Sequence, residues 1–251
     1  MSVVVITQAR TGSTRFPNKI LKEIGGKSLL QIHIERVKKA ELIDNIYVAT
    51  TVNKADDIIE EIAKTLQVRF YRGSEDDVLD RFYQTVKNDK PKFIVRLTSD
   101  CPLIDPRLID EVVSECITLD VDYYSNVLIE NYPDGQDIEV FKFDALEKAW
   151  RKAVLKSERE HVTPFIKKNS SFLGGNLFSS KNHNLNANYN HVRLTVDENE
   201  DLEVIKLLIK DLGFNQDWET YAKYYLENES IHKLNENITR NEGYLKSINK
   251  E

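Results

Sequence analysis

Residues 8–21 read Gln-Ala-Arg-Thr-Gly-Ser-Thr-Arg-Phe-Pro-Asn-Lys-Ile-Leu and set Arg10, Arg15 and Lys19 around Gly12, Ser13 and Thr14. Three cations, side-chain hydroxyls and a glycine that admits close backbone approach suit a polyphosphate, which needs many donors and charge neutralisation at once. The spacing is neither G-x-x-x-x-G-K-[ST] nor G-x-G-x-x-G, so this is not a Walker loop or a dinucleotide fingerprint. Two other segments share the form R-L-T-x-D, residues 96–100 ending on Asp100 and residues 193–197 ending on Asp197. Two carboxylates, together with phosphate oxygens and water, make the all-oxygen octahedral shell that Mg²⁺ prefers. Helix capping is the competing role for aspartates in such places. Asp105, directly before Pro106, reads as a cap. For Asp197 the cap and the metal role both stand open. Asp100 reads as a metal ligand, because Pro102 makes it a poor helix starter.

These residues need elements to hold them. An apolar β-branched run at 3–6 predicts a strand buried on both faces, with the cationic loop at its carboxyl end. Strands follow at 46–49, 68–71 and 93–98, separated by helical patterns at 29–40, 58–66 and 78–86. Strands alternating with helices of that length predict βαβ crossovers and a doubly wound, mainly parallel α/β sheet. In such sheets ligands bind beyond the carboxyl ends of the strands, where both the loop and Asp100 fall. That position argues against an ordinary basic surface loop. Further on, 138–141 and 191–196 read as strands and 202–212 as an amphipathic helix. Residues 169–190, rich in Asn, Ser and Gly, read as a loop or small projecting element. The tail from Asp217 reads as helical, with Trp218, Tyr221, Tyr224 and Tyr225 as packing residues.

The chain has 251 residues, 41% of them hydrophobic and 30% charged, and a net charge of −6. A length of this order buries a core without disulfides. The negative balance argues against a nucleic-acid partner, which would call for a basic face. No apolar run approaches the roughly 18 residues of a membrane span. The first residues lack the basic and apolar regions of a signal peptide. The two cysteines, Cys101 and Cys116, lack metal-ligand spacing and read as reduced thiols, so the expectation is a cytoplasmic protein.

Five stretches carry a family resemblance: Q-A-R-x-G-S-T-R-x-P-x-K at 8–19, R-G-S-E-D-D-V-L-D-R-F at 72–82, R-L-T-S-D-C-P-L-I-D-P at 96–106, R-E-H-V-T-P-F at 159–165 and R-L-T-V-D-E-N-E-D-L at 193–202. Together they resemble the cytidylyltransferases that make CMP-activated acidic sugars, the CMP-KDO and CMP-sialic acid synthetases. The branch among spore-coat and surface polysaccharide biosynthesis proteins is the nearer likeness. The resemblance implies a fold like that of the nucleotide-diphospho-sugar transferases, forming a single domain over residues 1–251. It further implies transfer of CMP from CTP to a small acceptor such as a 2-keto sugar acid, with release of pyrophosphate. Under it Arg10, Ser13 and Lys19 hold the triphosphate, within a nucleotide set that also takes in Gln8, Ala9, Gly12 and Arg15 and, less directly, Arg72 and Arg81. Asp100 and Asp197 would bind Mg²⁺, and Arg10, Lys19 and Asp100 would form the catalytic group. The acceptor region departs from the synthetases named, around residues 134–139 and 159–161.

Four residues there are acceptor-binding candidates: Asp137 and Glu139, alternating on the expected strand, and Arg159 and His161 in the dense polar motif. A solvated face accounts equally well for the two carboxylates, and a helix-surface role for His161. Cys101 has no partner base and reads as a structural thiol. Residues 138–190 interrupt the strand–helix alternation and, with the resemblance, predict an acceptor-binding and dimerisation arm and thus a homodimer. A metal-dependent glycosyltransferase is the rival within this sheet type, but it would carry an Asp-x-Asp pair where this chain has Asp100-Cys101-Pro102. A phosphorylated acceptor, giving a CDP-linked product, stays open as well.

Overall fold

The computed structural model describes residues 2–248. Its first half runs β1 (Val3–Gln8), a small hairpin of β2 (Glu23–Ile24) and β3 (Lys27–Ser28), α1 (Leu29–Val37), β4 (Asn45–Thr51), α2 (Asp57–Thr65), β5 (Arg69–Gly73), α3 (Val78–Val86) and β6 (Phe93–Thr98). The second half runs α4 (Pro106–Leu119), β7 (Tyr123–Ser125), β8 (Glu139–Lys142), α5 (Phe143–Lys152), α6 (Lys156–His161), α7 (Pro164–Lys168) and β9 (Ser180–Asn182). It ends with α8 (Asn199–Leu212), α9 (Trp218–Glu227), α10 (Glu229–Asn235) and α11 (Glu242–Ile248).

Seven strands form one sheet in the order β5-β4-β1-β6-β8-β7-β9. Only β8 runs against its neighbours; the other pairings are parallel. The period of two along β1 sends Val3 and Val5 to one face and Val4 and Ile6 to the other. The first pair packs with Leu29 and Ile32 of α1, Val112 of α4 and Ile205 of α8. The second packs with Phe82 of α3 and Leu146 of α5. Helices on both faces of a mainly parallel sheet are the doubly wound architecture expected from the sequence. Local signals set the helix starts. Ser28 and Gln31 close a reciprocal capping box on α1, and Asp105 caps α4 ahead of Pro106, accepting from the Arg107 N–H.

Three elements differ from the sequence reading. Residues 191–196 form no strand: their only ladder contact is an isolated parallel bridge between Asp134 and Arg193. Residues 192–196 are nevertheless buried, which explains the strand-like composition. Their backbone is stitched to loops instead, with Leu194 N–H on the Asp134 carbonyl at 2.7 Å and Val196 N–H on the Asp100 carbonyl at 2.9 Å. Residues 169–190 contain an edge strand, β9, paired to a strand, β7, that the apolar pattern did not single out. The stretch 138–190 supplies β8 and β9 to the main sheet and α5–α7 to its side. The tail aromatics Trp218, Tyr221 and Tyr225 are buried in the main core, and Tyr224 packs against it. Among the described residues no helix is long and apolar enough to cross a membrane.

Gly135 holds residues 192–196 in place. Its φ is +107°, and an added Cβ would lie 2.7 Å from the Leu194 carbonyl carbon and 2.8 Å from the Thr195 nitrogen. Gly135→Ala is therefore expected to destabilise the protein by about 2 kcal/mol or more, from backbone strain and overpacking together. Urea denaturation measures this, and a loss below about 0.5 kcal/mol, the level of an indifferent surface change, would contradict the close approach.

Candidate active site

β1 and β6 lie side by side with Gln8 opposite Thr98, so the cationic loop and Asp100 emerge together from the carboxyl edge of the sheet. The loop is held from below. The Asp56 carboxylate accepts the Thr11 N–H and hydroxyl, each at 2.7 Å, and Thr51 donates to its other oxygen. A single turn of 3-10 helix then lifts Lys19 over the sheet edge.

Lys19 is the centre of the site. Its Nζ lies 2.7 Å from Asp100 Oδ2 and 2.7 Å from Asp197 Oδ1. Burial opposes the ammonium charge, but the two carboxylates outweigh it and raise the Lys19 pKa above its ordinary value. Asp100 is half-buried, and Lys19 holds its pKa below the usual carboxylate range against the cost of its partial desolvation. Arg15 adds a second cation, 3.0 Å from Asp197, and also pairs with Glu198 and with Glu242 of α11.

Asp197 is not the cap of α8. Glu198 is the N-cap, and Asp201 in the first turn closes the capping box, its Oδ2 accepting the backbone N–H of Asp197 and of Glu198. The Asp197 side chain is left to the cations. Arg193 fixes its direction, donating to Asp197 at 3.3 Å, to Asp134 at 2.6 Å and to both oxygens of Asp201 at 2.8 and 3.0 Å.

Several other residues singled out in the sequence border this centre. Arg10 leans outward, paired with Glu75 at 3.0 Å, and a Cβ on Gly12 would stand 3.2 Å from the same carboxylate. Ser13 turns its hydroxyl to the Phe16 N–H. Ala9 is buried at the strand end, and the Gln8 side-chain oxygen is buried with no partner. Arg72 and Arg81 are held further out. Arg72 clamps Asp57, Glu60 and the carbonyls of Thr51 and Asn53. Arg81 is buried under the Ser74 and Glu75 carbonyls.

The four acceptor candidates are dispersed. Arg159 does not meet the others: it is bound to Asp77 ahead of α3 and to the carbonyls of Trp150 and Ala153. Asp137 precedes β8 and pairs with Arg240 at 2.5 Å. Glu139 is buried among Arg96, Tyr123 and Lys167, so the two carboxylates have separate partners. His161 hydrogen-bonds Ser247 and packs edge-on to Tyr244 of α11. Burial lowers its pKa to about 4, helped by Arg96 and Lys167. The Cys101 thiol is pushed up by burial and by Asp100, as a structural thiol would be.

Sequence reasoning missed Asp56, His33 and Arg193. His33 is fully buried, bonded to Thr7 and the Cys101 carbonyl beneath the Asp100 turn, and burial lowers its pKa to about 4. It braces that turn as a neutral ring. Arg193 had a visible signal, since an arginine stands four residues before the aspartate in both R-L-T-x-D segments.

Among the described residues no group of three or more His, Cys, Asp or Glu gathers as a metal cluster. Two carboxylates bridged by a cation nonetheless fit Mg²⁺, which takes few protein ligands and fills its shell from phosphate and water. The Lys19 ammonium shows that the gap between Asp100 and Asp197 accommodates a cation.

A mainly parallel sheet flanked by helices is the architecture of nucleotidyltransferases of the nucleotide-diphospho-sugar transferase fold. A sequence model described as cytidylyltransferase matches residues 4–238, and the chain belongs to that family of CTP-dependent enzymes. It is 39% identical over 239 residues to an uncharacterized protein of Methanocaldococcus jannaschii, covering 95% of this chain and 96% of that one. It is 34% identical over 220 residues to the spore coat polysaccharide biosynthesis protein SpsF of Bacillus subtilis, covering 86% and 89%. A solved cytidylyltransferase from Leptospira borgpetersenii is 33% identical and superposes with a TM-score of 0.87, over 96% of this chain and 99% of that one.

The Arg193 clamp carries a test of its own. Arg193→Met leaves Asp134 and Asp201 buried without their cation, and is expected to cost about 3–5 kcal/mol in urea unfolding. A cost below about 1 kcal/mol would show that the clamp does not hold the site.

Proposed function

We propose that this enzyme transfers CMP from CTP to a small acidic sugar, a 2-keto sugar acid, for a surface polysaccharide. The observation that carries the reading is the convergence of Lys19, Asp100 and Asp197, from three distant segments, beside the cationic loop. The resemblance to CMP-KDO and CMP-sialic acid synthetases supports the acceptor class.

Arg10, Arg15 and Lys19 bind the triphosphate, with the loop backbone around Gly12 and Ser13 lying against it. The acceptor oxygen attacks the α-phosphorus in line, and the bond to the leaving pyrophosphate breaks. The protein's part is positioning and charge stabilisation, since phosphoryl chemistry of this kind asks for little covalent participation. Asp100 and Asp197 would hold Mg²⁺, which when bound would supply charge neutralisation at the phosphates. Lys19, paired to both carboxylates here, then turns its ammonium to phosphate oxygens and stabilises the charge that builds on the leaving group.

Pyrophosphate release with each nucleoside triphosphate, Mg²⁺ and a panel of sugar acids checks this reading. CTP is expected to be preferred and EDTA to abolish turnover; equal use of UTP, or full activity in excess EDTA, contradicts it. Lys19→Ala is expected to lose roughly a hundredfold in rate, the usual effect of deleting one preorganised contact. Normal turnover by that variant would remove the loop from the triphosphate site.

A further inference from the structure

Two cations share the buried carboxylate of Glu139. Glu139, 1% exposed, takes Lys167 at 3.1 Å and the Tyr123 hydroxyl at 2.6 Å on one oxygen, and Arg96 on the other. The other carboxylate near this cluster, Glu160, acts on His161 and accepts from Ser247. The neighbouring His161 is held neutral by its burial and by the two cations. Arg96 is only 15% exposed, and its Nε is buried with no hydrogen-bond partner. Lys167 is partly open to solvent, but buried donors are as a rule paired, so the Arg96 Nε marks the place of one missing hydrogen-bond acceptor.

We propose that Arg96 and Lys167 form the subsite that binds the carboxylate of the acceptor, with Glu139 as the fixed counter-ion that orients them. The inference rests on the acidic-sugar reading above and adds to it the residues that select the acid. The position fits. Arg96 stands on β6 four residues before Asp100, about 13 Å at most along an extended chain. An arginine side chain and a small sugar acid together span that distance to the metal carboxylates. A guanidinium with a free N–H edge is also the group best shaped for a carboxylate. Helix α11 packs beside the neighbouring His161, through Tyr244 and Ser247.

Equilibrium binding by calorimetry tests the proposal, using 3-deoxy-manno-octulosonate and N-acetylneuraminate, each against its methyl ester, with and without CTP. At least one acid is expected to bind the wild-type protein about tenfold or more tighter than its ester, the worth of one charge-assisted hydrogen bond. Lys167→Gln and Arg96→Gln should erase that preference and Arg96→Lys should restore part of it. CTP affinity should stay the same throughout, which also reports that each variant is folded. Lys167 is partly exposed, so its replacement tests the subsite even where Arg96→Gln fails to fold. Equal binding of acid and ester, unchanged acid binding by Lys167→Gln, or capture of a sugar 1-phosphate in place of the acids would overturn the proposal. Failure of the wild-type protein to bind CTP would instead sink the proposed function, and the comparison of acid with ester would still be read without CTP.

Discussion

Two carboxylates that repel each other are forced together at the mouth of this sheet, and everything else in the site is arranged around that constraint. The force is in the backbone. Val196 N–H is bonded to the Asp100 carbonyl at 2.9 Å, so the aspartates that follow and contain those groups cannot separate. Lys19 sits 2.7 Å from both, and its charge holds the Asp100 carboxyl below the usual carboxylate range.

The neutralising charges come in tiers. Arg193 saturates Asp134, Asp197 and Asp201 from behind, which leaves the forward face of Asp197 to Lys19 and Arg15. Asn235 of α10 completes the rear by donating to Asp201 at 2.9 Å. In front, Arg15 reaches Glu242 of α11, while Arg240 just ahead of that helix binds Asp137 and the Tyr132 carbonyl. The C-terminal segment thus bridges the loop at 8–19 and the segment ahead of β8. Any anion entering at Arg15 competes with Glu242 for the same guanidinium.

The sheet was legible in the sequence because its signals are local. The runs at 3–6 and 93–98 could hardly be anything but buried strands, and the helices between them carry their own periodicity and caps. The loop at 8–19 and Asp100 were legible because a position at a strand's carboxyl end carries chemical meaning. Residues 191–196 were misread as a strand because burial of a segment leaves the same apolar trace whether its partner is a sheet or a loop. That Asp197 is not the cap of α8 could not be read either, since it turned on Glu198 and Asp201 forming the capping box. The pairing of Arg96 and Lys167 with Glu139 was hidden for a different reason. It is made across β6, β8 and α7, and no single stretch of sequence contains it.

The account stands or falls on Asp100 and Asp197 acting as one unit. The direct measurement is kcat/KM for Asp100→Asn, Asp197→Asn and the double variant, each titrated over Mg²⁺ concentration. Asparagine keeps the size and shape but removes the charge and one acceptor oxygen. Each single replacement is predicted to cause a large loss that added Mg²⁺ partly recovers, and the double to lose little more, since groups that work together are non-additive. Near-normal activity for Asp197→Asn, or losses that simply multiply in the double variant, would contradict it.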